Sequence, residues 1–142
     1  MAPISHTLVL PAARDRVWDA WTTTAGLRGW LCRDATIDPV VGGRLALRWA
    51  KGEAYPALTP ELDGEVLFVD RPRRLELRFG DAIGAPGPGR VEVDLLPSLD
   101  GTRLQLTHAG FGDDPAAARV RERCDAAWTA ALGRLRAAVA GL

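Results

Sequence analysis

From Gly110 onward the chain reads as one long helix whose apolar side chains form a single stripe: Val120, Cys124, Trp128, Leu132, Leu135 and Val139, spaced by three and four. Arginines, acids and alanines fill the other positions, Asp113 or Asp114 can cap the start, and Pro115 falls where a first-turn proline is tolerated. Such a helix spans about 38 Å, and an apolar stripe of that length must be covered by a surface equally long. A sheet of about seven strands at roughly 4.8 Å spacing has that width. The rest of the chain must therefore supply the strands.

It does so in order. Ile4 to Leu10 alternates as a strand with Ile4, His6, Leu8 and Leu10 on one face, and Pro11 ends it. Arg14 to Trp21 places Val17, Trp18 and Trp21 on one helical stripe, the Thr22 to Thr24 run interrupts it, and Thr24 can cap a second short helix carrying Leu27, Trp30 and Leu31. Six extended runs follow: Ala35 to Asp38, Arg44 to Ala50, Asp63 to Asp70, Arg74 to Phe79, Arg90 to Leu96 and Thr102 to His108. Gly42-Gly43, the turn at Asp70-Arg71-Pro72 and the hairpin signal Asp100-Gly101 separate neighbours that should pair antiparallel. Lys51 to Pro60 and Asp81 to Gly89 read as surface loops. With no internal repeat and no dividing linker, residues 1–142 are expected to form one domain.

Composition excludes several classes of function. Eighteen basic residues balance eighteen acidic ones, so no net field draws the chain to nucleic acid or to an anionic membrane. Strand arginines such as Arg48, Arg78 and Arg90 have acids nearby and no aromatic platform between them, and read as a solvated sheet face. No apolar run approaches the roughly 18 residues of a membrane span, and the first ten residues lack the pattern of a secretory signal. Cys32 and Cys124 lie far apart, in no metal-ligand spacing, and read as free thiols. A cytoplasmic protein is expected.

The order of a strand, two short helices, six antiparallel strands and a long closing helix resembles the α+β helix-grip fold of the START-like superfamily. The stretches VWDAWTTTAGLRGWL, DPVVGGRLALRW, DGEVLFVDRPRRLEL and GTRLQLTHAGF, with AAW and LGRL in the last helix, resemble the family of homologues of the activator of Hsp90 ATPase across nearly the whole chain. The resemblance implies a curved seven-stranded sheet wrapped around the C-terminal helix. In related proteins a cavity between the two accepts apolar molecules. The family is named for a eukaryotic co-chaperone with an additional N-terminal domain, for which 142 residues leave no room.

Two histidines share apolar faces with leucines: His6 with Leu8, and His108 with Leu104 and Leu106. His108 at its strand end can be satisfied by a backbone carbonyl and a water, or can orient one polar atom of a ligand. All five tryptophans fall on apolar stripes. Trp18 and Trp21 read as core, whereas Trp30, Trp49 and Trp128 divide evenly between core and cavity wall. A ligand cavity would be lined by Trp30, Leu47, Trp49, Phe79, Val93, Leu106, His108, Cys124, Trp128 and Leu132.

No catalytic residue is assigned: GxSxG, HExxH and P-loop patterns are absent, Glu76 alternates outward with Leu75, Leu77 and Phe79, and the face of Glu65 is ambiguous. His6, His108, Cys32 and Cys124 have no diagnostic metal spacing, and no cofactor is expected. The leading expectation is a non-enzymatic domain that binds a small apolar or aromatic molecule between sheet and helix. The first alternative is an interaction or co-chaperone-type protein with a filled core, and the second a cyclase or hydrolase acting in the cavity. A homodimer and a contact with a chaperone stay open, as does the question whether His6 and His108 meet.

Overall fold

The computed structural model describes residues 2–50, 61–81 and 88–140. The chain runs β1 (Ile4–Leu10), α1 (Arg14–Thr22), α2 (Thr24–Arg28), β2 (Asp34–Ile37), β3 (Arg44–Arg48), β4 (Glu61–Asp70), β5 (Arg74–Asp81), β6 (Pro88–Ser98), β7 (Gly101–Ala109) and α3 (Pro115–Ala140). All seven strands join one antiparallel sheet in the order β1-β7-β6-β5-β4-β3-β2. This is the helix-grip arrangement that the order of elements and the family resemblance led us to expect. The loop expected at Lys51 to Pro60, and residues 82–87 of the one expected at Asp81 to Gly89, lie outside the described residues, while the ends of the second are strand, Asp81 closing β5 and Pro88 and Gly89 opening β6 in pairing with it.

Alternation along the strands sets the two faces. Leu45 and Leu47 of β3, Leu75, Leu77 and Phe79 of β5, Val91, Val93 and Leu95 of β6, and Leu104 and Leu106 of β7 are all at most 2% exposed and face inward. Against them lies the α3 stripe, with Cys124, Trp128, Leu132, Leu135 and Val139 buried as its spacing predicts. One irregularity matters: a register shift between Val66 and Phe68 turns Val66 inward and leaves Phe68 40% exposed opposite Glu76.

The outer sheet face carries charge. Glu65 pairs with Arg78, which resolves the ambiguity of its face. Arg74 bonds Glu76, Glu92 and Asp94, while Arg90 bonds Glu76 and Glu92. Glu76 does point outward, yet it is only 8% exposed beneath these arginines. Burial alone would raise its carboxyl, but hydrogen bonds from Arg74 and Arg90 outweigh that and hold it below the ordinary carboxylate range.

The helix ends and the sheet edge are tied by side chain to backbone bonds. Thr23, rather than the expected Thr24, caps α2 by accepting from Gly26 N at 2.9 Å, and Thr24 Oγ1 instead donates to Ala35 O. Asp114 caps α3 by accepting from Ala117 N at 2.7 Å. Arg16 of α1 donates to Val139 O and Ala138 O, two carbonyls of the last turn of α3. From α3, Arg121 reaches Ala2 O and Pro3 O and Arg136 reaches Val9 O, so arginines occupy acceptors along the outer edge of β1.

Candidate functional site

Between sheet and helix the described residues build an aromatic centre. Trp128, midway along α3, is stacked on Phe79 of β5 at 6.3 Å and on Trp21 of α1 at 6.2 Å between centroids. Trp30 meets Trp21 edge-on at 4.7 Å. His108 stands at 5.5 Å from Phe79 and 4.9 Å from Phe111. Strand alternation aims His108 and Phe79 inward, and the helical period aims Trp128 at both of them.

The polar atoms of this centre are largely consumed. Trp128 Nε1 donates to His108 Nδ1 at 3.0 Å. An indole N–H only donates, so Nδ1 must be the unprotonated nitrogen and the neutral ring carries its proton on Nε2. Burial pushes the His108 imidazole down to about 4, which keeps it neutral at ordinary pH. Trp30 Nε1 donates to Ala20 O and Trp49 Nε1 to Leu31 O, tying the first ring to α1 and the second to the turn after α2. Trp21 Nε1 alone is a buried side-chain donor without a partner among the described residues.

The ten residues picked from the sequence are brought together: Trp30, Leu47, Trp49, Phe79, Val93, Leu106, Cys124, Trp128 and Leu132 share one buried cluster, and His108 joins it through Trp128. All ten are 0–6% exposed. Trp21, assigned from sequence to the core, touches Trp128 directly. Phe111 was not picked out, although GF directly follows the strand that ends in THA.

His6 and His108 stay apart in their bonding. The register sets Ile4, and not His6, opposite His108, and His6 Nε2 instead meets Asp125 Oδ1 on α3 at 2.6 Å. Asp125 was missed because it sits beside the apolar stripe, not on it, and only the placement of α3 across β1 aims it at His6.

Chemically the centre offers little for acid–base work. Among the described residues the buried polar ones are Thr22, Glu76, Thr102 and His108; the two threonines bond backbone carbonyls and Glu76 belongs to the outer face. Among the described residues no three of His, Cys, Asp or Glu stand close enough to hold a metal ion, and no helix is long and apolar enough to cross a membrane. Two concave sites lined by described residues lie on the outside. One of about 270 Å³ is lined by Asp34, Thr36, Arg44 and Arg48, and one of about 160 Å³ by Arg28, Gly29, Trp30, Leu31, Cys32 and Arg134.

Comparison with known proteins agrees with this geometry. A Mesorhizobium loti protein of solved structure is 22% identical over 98% of this chain and 97% of its own, with a TM-score of 0.83. The Aha1 dimer of Colwellia psychrerythraea is 20% identical over 98% and 96%, with a TM-score of 0.78. CalU16 of Micromonospora echinospora is 27% identical over 95% of this chain and 72% of its own, with a TM-score of 0.72. No curated protein matches significantly. Residues 11–140 match the family described as activator of Hsp90 ATPase homolog 1-like protein, and the chain belongs to that family.

Proposed function

We propose that the domain acts through its surface, as an interaction module of the co-chaperone type with a filled interior. The observation that carries this reading is the pairing of Trp128 with His108: the imidazole nitrogen that a ligand donor would use already accepts from α3. Burial of the surrounding walls supports it, since side chains lining an empty ligand-sized cavity would keep surface accessible to water, and these are 0–6% exposed. The dimer described for the Colwellia protein extends the reading to self-association of this chain.

A second reading, a small apolar or aromatic ligand, draws on the unpartnered N–H of Trp21 beside Trp30 and Trp128, which suits a ligand carrying one acceptor. Native mass spectrometry of protein purified from its own host separates the two. The interaction reading expects the bare chain mass, alone or doubled, and stimulation of the ATPase of the host's Hsp90-type chaperone by the added domain. A stoichiometric co-purifying small molecule would replace it with the ligand reading.

A further inference from the structure

Several stretches of the chain lack acidic residues, among them Ala20 to Arg33 and Ala126 to Ala140. The fold brings these two acid-free segments together. Arg134 of α3 donates from Nε to Trp30 O at 2.8 Å, and Arg28 at the end of α2 donates from Nε to Arg33 O at 3.2 Å. Both guanidinium groups are thus held on the turn that follows α2, and both line the same pocket of about 160 Å³ with Gly29, Trp30, Leu31 and Cys32. On the outer sheet face, Arg74, Arg78 and Arg90 are matched by carboxylates. Arg28 and Arg134 have no acidic partner among the described residues. The nearest acid in sequence, Asp34, is exposed, accepts from Ala35 N and lines the separate hollow with Arg44 and Arg48.

Each of the two arginines spends only its Nε–H, which leaves the terminal edge of the fork available, the edge that grips a carboxylate with two parallel bonds. The backbone favours carboxylates over phosphate. Gly29 N, Trp30 N, Leu31 N and Cys32 N all bond Gly26 O or Leu27 O, so no cradle of free amides accompanies the arginines. We propose that this pocket anchors an acidic segment of a protein partner, one side-chain carboxylate on Arg28 and another on Arg134. The inference rests on the interaction reading above and names the chemistry of its contact.

The test is fluorescence anisotropy of a labelled peptide of alternating Asp and Glu, titrated with the full chain at low salt. Saturable binding is expected, weakened about tenfold or more in Arg28→Gln and in Arg134→Gln, and unchanged in Arg44→Gln. Arg28 is exposed and touches only a carbonyl, so its variant keeps the test clean if Arg134→Gln unfolds. Absence of saturable binding, or binding undiminished in Arg28→Gln, overturns the proposal. Displacement of the peptide by inorganic phosphate at lower concentration than by free glutamate also overturns it. If the peptide fails while chaperone stimulation persists, the acidic anchor falls and the interaction reading stands. If the peptide binds but a small molecule co-purifies, the interaction reading falls.

Discussion

Trp128 and His108, twenty residues apart on α3 and β7, share a buried hydrogen bond of 3.0 Å that satisfies an indole donor and selects one imidazole tautomer together. Phe79 and Phe111 pack against the imidazole ring and offer no polar alternative to that bond. The bond is therefore both a packing element and a proton lock.

The first prediction concerns acid. Unfolded chains protonate the imidazole near 6.5, whereas the folded chain resists until about 4, so the unfolded state binds more protons across that window and stability falls as pH drops through it. The contribution is complete above pH 6.5, and its loss approaches about 3 kcal/mol near pH 4. Urea melts between pH 7 and 4 should show this slope in the wild type and lack it in His108→Gln. An identical slope in both proteins would assign the acid sensitivity elsewhere.

A double-mutant cycle reads the bond itself. His108→Leu strands the Trp128 N–H, and Trp128→Phe strands His108 Nδ1, so each single change should cost about 1 to 3 kcal/mol beyond its packing loss. The double variant leaves nothing unpaired and should be more stable than the sum of the singles implies, by about 1 kcal/mol or more. Strict additivity in chemical denaturation would mean that the two groups do not communicate.

Cys124 tests whether the interior is closed. Burial pushes its thiol up to about 12, and the side chain is 1% exposed on the stripe facing the sheet. Iodoacetamide at pH 8 should leave Cys124 unmodified in the folded protein and label it in urea, as read by peptide mass mapping. Fast labelling of Cys124 without denaturant would point to an accessible cavity instead.

Gly89 on β6 should tolerate no side chain. A Cβ there would come within 2.9 Å of His108 Nε2 and 3.7 Å of Phe79 Cβ, and the imidazole cannot retreat without breaking its bond to Trp128. Gly89→Ala is expected to cost about 1 to 3 kcal/mol and to disturb tryptophan fluorescence, while Gly133→Ala, where the Cβ meets nothing, should leave thermal stability unchanged or raised. Equal melting behaviour of the two variants would contradict the geometry.

What the sequence determined by itself was everything encoded in local periodicity. The stripe from Val120 to Val139 announced the long helix, alternation in Leu104, Leu106 and His108 announced the inner face, and the order of the pieces announced the family fold. Periodicity states which way a side chain points, and says nothing about which distant residue waits there. Only the tertiary structure decided that Ile4 stands opposite His108, that His6 turns to Asp125, and that a bulge in β4 exposes Phe68. The partnership of Trp128 with His108 and the meeting of Arg134 with the turn after α2 belong to the same class. Strand register and helix placement are set by the packing of the whole core, where a slip of two residues along a strand or of one helical turn keeps each side chain on its face and exchanges every long-range partner.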